Sequence, residues 1–139
     1  MTAYDTNNVF AKILRGEIPS TKVYEDDVVL AFMDVMPQTE GHVLVIPKVA
    51  ARTLLDMPPH STGPFFERVQ LVAAAVCKAM KADGLTLRQH NEPAGGQIVF
   101  HMHMHVLPRW DGVELRPHTG KMEKPEVLAD YAERIRAAF

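Results

Sequence analysis

The stretch Gln97-Ile98-Val99-Phe100-His101-Met102-His103-Met104-His105-Val106-Leu107-Pro108-Arg109 decides how this chain is read. Three histidines alternate with apolar residues. Successive side chains of a β-strand point to opposite faces, so His101, His103 and His105 would share a face at about 7 Å spacing. Val99 and Leu107 fall on that face, while Ile98, Phe100, Met102, Met104 and Val106 fall on the other. The second set is wholly apolar and reads as a core face packed against a helix, which leaves the histidines turned toward a ligand. Imidazole titrates near neutrality, and a row of three is equipped to act as nucleophile, acid, base or metal ligand.

Outward from this strand the chain is punctuated by turns. Immediately upstream, Pro93-Ala94-Gly95-Gly96 brings two glycines to the strand entrance, where the backbone is free to bring N–H groups close to a bound group, an arrangement that suits a phosphate. Further back, Leu85-Thr86-Leu87-Arg88 reads as a strand. The segment from about Thr62 to Ala82 changes period: Phe65, Val69, Val72, Val76, Cys77 and Met80 recur at helical spacing, with Gly84 as the stop. His42-Val43-Leu44-Val45-Ile46 is a strand closed by Pro47, and Lys22 to Tyr24 and Val28 to Phe32 form a hairpin across Glu25-Asp26-Asp27. Near the start, Asn7 or Asn8 caps a short helix through Val9 to Leu14 that Gly16 ends. Pro125 to Ala138 is an amphipathic helix with Val127, Leu128, Tyr131 and Ile135 on one side. Hairpin-linked strands with segregated helices predict an α+β domain built on an antiparallel sheet of about five strands, with a long central helix and a C-terminal helix.

Composition narrows the function classes. The chain has 139 residues, 47% of them hydrophobic and 23% charged, enough for one domain with a real core spanning 1–139. A net charge of -2 argues against a sequence-independent nucleic-acid binder, which needs a basic stripe, while leaving room for a small anion. No apolar run reaches transmembrane length and Met1 to Ser20 lacks the core of a signal peptide, so the expectation is a cytoplasmic protein without membrane partners. Cys77, the single cysteine, reads as a small buried hydrophobe rather than a nucleophile.

His-x-His-x-His with apolar residues between, preceded by Gly96-Gln97 and followed by Pro108-Arg109, resembles the signature of the histidine triad (HIT) superfamily. The resemblance extends over nearly the whole chain, through Phe10-Ala11-Lys12-Ile13, Gly16-Glu17-Ile18-Pro19, Tyr24-Glu25-Asp26-Asp27, Leu30-Ala31-Phe32-Met33-Asp34 and Gly41-His42-Val43-Leu44-Val45-Ile46-Pro47-Lys48. It implies the HIT-like fold and a nucleotide hydrolase or transferase in which His103 attacks the α-phosphate and becomes transiently nucleotidylated. It further implies that His42 and nearby backbone fix the His103 tautomer. His105 then lies by the phosphate and leaving group, His101 supports the row, and Gln97 contacts the phosphate or leaving group. His90 or Asn91 also reaches the phosphate, the register between them being open. Asp34 binds the ribose hydroxyls, and Phe10, Ile13, Ile18, Phe32 and Val35 sandwich a purine base. A homodimer is implied, joined through the long helix and a neighbouring strand.

Several positions depart from the family pattern. Asn8-Val9-Phe10-Ala11 stands where many bacterial relatives carry Cys-x-x-Cys, and Ala50 where they carry a histidine. With three of four ligands missing, no structural zinc and no other cofactor is expected. Ile98 replaces a common hydroxyl residue, and Glu92 adds a negative charge beside the phosphate site. The alternatives carried forward are a non-catalytic purine-nucleotide-binding or interaction module and, below it, a histidine metal site. Lys48, Arg88 and Arg109 offer positive charge for phosphates, and Trp110 either lines the entrance or packs.

Overall fold

The computed structural model describes residues 3–117 and 120–139. The chain starts with α1 (Val9–Leu14) and continues through β1 (Lys22–Glu25), β2 (Val29–Met33) and β3 (Val43–Pro47) to α2 (Pro59–Met80). It then runs through β4 (Gly84–Arg88) and β5 (Met104–Arg109) to α3 (Pro125–Arg136), with short 3₁₀ turns at Leu54–Asp56 and Pro93–Gly95. The strands form one antiparallel sheet in the order β1-β2-β3-β5-β4. This is the α+β architecture with an antiparallel sheet that the hairpin and helix signals predict, and the HIT-like fold that the resemblance implies. No helix among the described residues is long and apolar enough to cross a membrane.

Period-two alternation in the central strands divides the core. Val29, Ala31, Met33, Val43, Val45, Met104 and Val106 face α2 and α3, in a cluster completed by Phe65, Val72, Val76 and Ile135. Leu30, Phe32, Leu44 and Ile46 point the other way and are covered by Phe10 and Ile13 of α1. β2 and β3 are therefore buried on both faces. Leu44 pairs with His105 across β3 and β5, which puts the last histidine of the row on the α1 side of the sheet. The hairpin turn between β1 and β2 is built on Asp26, whose carboxylate accepts the N–H groups of Val28 and Val29 and the Tyr24 hydroxyl and pairs with Arg68 of α2 at 2.9 Å. Burial opposes its ionisation, but these partners outweigh that and hold the carboxyl well below the usual carboxylate range.

Several boundaries differ from the sequence expectation for physical reasons. The histidine strand begins at Met104 rather than at Gln97, so only His105 of the three lies in regular strand. Its pairing with β3 stops at Val45 opposite Met104; two residues further the partner edge reaches Pro47, which has no N–H to give. Met102 bonds sideways to the carbonyl of Ala51 instead. Ile98 is consequently not core: it is 74% exposed, and Phe100 lies under the Arg52 guanidinium at 4.1 Å. The long helix ends at Met80 with Lys81 in the left-handed conformation (φ 51), and Gly84 starts β4 instead of stopping the helix. Cys77 is half-buried, and burial pushes its thiol pKa up, which keeps it a poor nucleophile.

Candidate active site

The α1 face of the sheet carries a cavity of about 650 Å³. Its apolar wall is Phe10 and Ile13 from α1, Ile18 from the following loop, and Phe32, Val35 and Leu44. Its polar wall is Asp34, His42, His90, Gly96, His103 and His105. Phe10 and Phe32 meet edge to face at 5.5 Å, and Phe10 also abuts the His103 ring at 4.9 Å, so one phenyl joins the apolar slot to the histidines. His101 lies behind the wall, fully buried.

Fixed backbone groups determine where the imidazole protons sit. His103 Nδ1 lies 2.6 Å from the carbonyl oxygen of His101, which only accepts, so Nδ1 carries the hydrogen and Nε2 keeps its lone pair. At the other end, the Gln38 N–H donates to His42 Nδ1 at 3.1 Å, so His42 carries its hydrogen on Nε2. That Nε2–H lies 3.0 Å from His105 Nδ1 and donates to it, leaving His105 with Nε2–H as its own donor. His101 is held the same way: its Nε2–H donates to the Pro47 carbonyl at 2.8 Å, and its Nδ1 accepts from the Tyr4 hydroxyl at 2.6 Å. The row thus presents one lone pair, on His103, beside one N–H donor, on His105, with ring centroids 5.0 Å apart.

Burial keeps all three neutral. It lowers the pKa of His101 to about 4 and of His105 to about 3, the latter also because a proton on His105 would be repelled by Arg88 and by any proton taken up at His103, His42 or His90. His103 is lowered chiefly by burial too, against the opposing effect of its bond to His101.

The remaining expected site residues are placed unevenly. Asp34 lines the cavity; one oxygen accepts the Met36 N–H at 2.8 Å and the other lies 3.5 Å from His42 Nε2. His42 therefore serves His105 and Asp34, not the His103 tautomer, which the His101 carbonyl holds. Of the His90/Asn91 pair, His90 faces the cavity, with a buried Nδ1 that has no partner. Asn91 is turned away, accepting from the Leu54 N–H and exchanging amide bonds with Gln89. Gln97 is also turned away. Its oxygen accepts the Glu92 N–H at 2.7 Å, and its nitrogen donates to the carbonyls of Arg52 and Val99. Its amide shapes the turn that carries Gly96 (φ 93) rather than reaching into the cavity. Glu92 is neutralised by a two-pronged bond to Arg52 at 2.8 and 2.9 Å, so it brings no bare charge to the site. Lys48 pairs with Glu25, Arg109 bonds Thr86, and Trp110 donates to the Lys81 carbonyl, while Arg88 lines the cavity.

The sequence reading missed Tyr4, Ser20, Gln38 and Met122. Ser20 and Met122 line the cavity, and Gln38 orients His42 through its backbone. Only a three-dimensional contact identifies them; no local pattern marks them. Among the described residues, Asp34, His42 and His105 bring donor atoms within 4.8 Å of one another, as a metal site would. The donor chemistry does not fit: a cation on His42 Nε2 would push the proton onto Nδ1, against the Gln38 N–H already pointing there. His101, with both ring nitrogens engaged by Tyr4 and Pro47, has no lone pair to offer a metal.

Residues 15–112, which carry the histidine row and most of the polar wall of the cavity, match the HIT domain family model. The chain belongs to the HIT family. Among HIT relatives, it is 41% identical over 134 residues to Protein hit of Bacillus subtilis, covering 93% of this chain and 92% of that one. It is 40% identical over 122 residues to adenylylsulfatase HINT3 of Arabidopsis thaliana, covering 84% of this chain but only 62% of the plant protein. In structure it is similar to a Hit-like protein of Bartonella henselae, with a TM-score of 0.92 and 51% identity over 99% of this chain and 100% of that one. A zinc-bound HIT protein of Mycobacterium smegmatis superposes with a TM-score of 0.83 at 34% identity, over 96% of this chain and 93% of that one.

Proposed function

We propose that this HIT protein is a nucleotide hydrolase or transferase that acts at the α-phosphate through a nucleotidyl-His103 intermediate, with 1–139 as one HIT domain. The observation that carries the reading is the 2.6 Å bond from His103 Nδ1 to the His101 carbonyl, which leaves the Nε2 lone pair on the cavity side of a neutral imidazole. In the proposed reaction Nε2 attacks phosphorus, a P–N bond forms, and the bond to the leaving group breaks with its electron pair. The His105 Nε2–H donates to a phosphate oxygen as charge builds there. Water then attacks the phosphoramidate, the P–N bond breaks, and the nucleoside monophosphate departs with the imidazole restored.

A purine lies in the slot of Phe10, Ile13, Ile18, Phe32 and Val35, and Asp34 accepts from the ribose hydroxyls through the oxygen not committed to Met36. His90 and the Gly96 turn complete the phosphate end. Adenosine phosphoramidates, dinucleoside polyphosphates and adenylyl sulfate, the last suggested by the name of the Arabidopsis relative, are the substrate classes to compare. A homodimer is part of the proposal: β4 is an edge strand whose Leu85 and Leu87 are exposed, and α2 exposes Phe66 and Leu71. Turnover of these substrates by the wild type and by His103→Ala tests the function. Loss in the variant upholds the enzyme. Equal and negligible turnover by both, with nucleotide still bound, would instead make the protein a binding module.

A further inference from the structure

The N-terminal segment crosses the back of the histidine row. It is pinned at three points outside α1: the Arg15 guanidinium donates to the Thr6 carbonyl, the Asn8 amide donates to the Asp5 carbonyl, and the Asn7 N–H donates to the Asp5 carboxylate. These bonds set Tyr4 against His101, ring edge to ring face with centroids 5.6 Å apart and the hydroxyl 2.6 Å from Nδ1. On the far side of the same imidazole, Nε2–H is fixed by the Pro47 carbonyl at 2.8 Å, so the hydroxyl can only donate. His101 is thus clamped at both nitrogens while wholly buried, and its own carbonyl is the group that takes the His103 Nδ1–H.

We propose that Tyr4 is a positioning residue for His103: by donating to His101 Nδ1 it holds that residue, and with it the carbonyl that fixes the reactive tautomer of His103. The proposal deepens the nucleotidyl-transfer reading and rests on it for its kinetic consequence, though not for its structural one. Without the hydroxyl, a buried lone pair on His101 loses its donor, and the ring is free to turn toward another. A ring no longer held at Nδ1 leaves the His101 backbone less firmly anchored, and a shift of its carbonyl off the 2.6 Å contact would let His103 populate the tautomer with its hydrogen on Nε2, which has no lone pair for phosphorus. Phe10 cannot substitute, since it meets His101 and His103 only through ring edges at 6.5 and 4.9 Å.

Tyr4→Phe keeps the ring and removes only the hydroxyl. The expected result is a fall in kcat of about tenfold with KM within about twofold, the size typical of losing a group that orients an active histidine. Nitrogen-15 spectra of labelled protein should show His103 as a single Nδ1–H tautomer in the wild type and a mixture in the variant. An unchanged tautomer overturns the proposal, even if kcat falls, because the effect would then be merely structural. Should Tyr4→Phe not fold, the wild-type spectrum still decides: His101 Nδ1 must resonate as a hydrogen-bonded acceptor nitrogen, and a signal typical of an unbonded one overturns the proposal. The spectra need no substrate. Wild-type protein that turns over none of the nucleotide substrates would sink the functional reading while leaving the Tyr4 relationship to be judged on its own.

Discussion

His42 donates its Nε2–H to His105 across 3.0 Å, and its own tautomer is set by the Gln38 N–H at 3.1 Å. A backbone amide in the loop after β2 thereby dictates which nitrogen of a residue 67 positions along the chain offers a proton to the cavity, an offset given by 105 minus 38. His42→Ala breaks that relay and lets His105 carry its hydrogen on either nitrogen. A fall in kcat on the order of 10- to 100-fold is expected. His42→Gln, which retains an amide donor near the Nε2 position, should keep more activity than the alanine variant; the reverse order in steady-state kinetics would sink the relay.

The pH dependence follows from the depressed histidines. Burial holds His101 at about 4 and His105 at about 3 in the folded protein, against 6.5 when exposed. Below pH 6.5 the unfolded chain takes up protons that the native state refuses, so stability falls as the pH drops from about 6.5 toward 4 and 3. Above 6.5 these groups add no slope. Urea denaturation at successive pH values checks this, and stability that stayed flat from pH 7 to pH 5 would contradict it. His103 is lowered as well, so the acid limb of kcat/KM should have its midpoint below 6.5.

The 93–97 turn makes a separate prediction. Gly96 sits at φ 93, and a Cβ built there would lie 2.5 Å from His90 Nδ1. Gly96→Ala adds backbone strain of about 1–3 kcal/mol and displaces His90 from the cavity wall. Thermal melting should show the destabilisation and kinetics a raised KM. A variant with native stability and KM would show that the turn is not held as described.

Gln97 separates two roles. All its amide hydrogen-bonding partners are backbone groups of Glu92, Arg52 and Val99, and its side chain is buried. Gln97→Ala should cost about 1–3 kcal/mol of stability by stranding those groups. A direct phosphate contact would give the opposite signature, with kcat/KM lost and the denaturation midpoint unmoved.

Local signals carried most of the fold. Asn8 caps α1 over the expected residues, and β2, β3 and β4 each depart from their expected bounds by one residue. What escaped depends on contacts between distant segments. The histidine strand is cut short because its partner edge ends at Pro47, a fact about a strand more than fifty residues earlier. The period-two pattern puts Ile98 on the core face only if pairing continues that far; it does not, and Ile98 lies exposed at the cavity edge. At the site, residue types were legible but hydrogen-bond partners were not. The row, Asp34 and the apolar slot line or back one cavity, whereas the pairing of His42 with His105 and of Tyr4 with His101 spans 63 and 97 residues. The charge of Glu92 is balanced by Arg52, a partner 40 residues earlier that no local pattern links to it.

The central claim is that His103, through Nε2, forms the covalent bond. Rapid mixing of wild-type protein with an adenosine phosphoramidate, quenching under alkaline conditions that preserve P–N bonds, and peptide mass analysis tests it most directly. The account predicts one adenylyl group on the peptide containing His103, absent from His103→Ala. An adenylyl group on His101 or His105 instead, or turnover undiminished in His103→Ala, would contradict it.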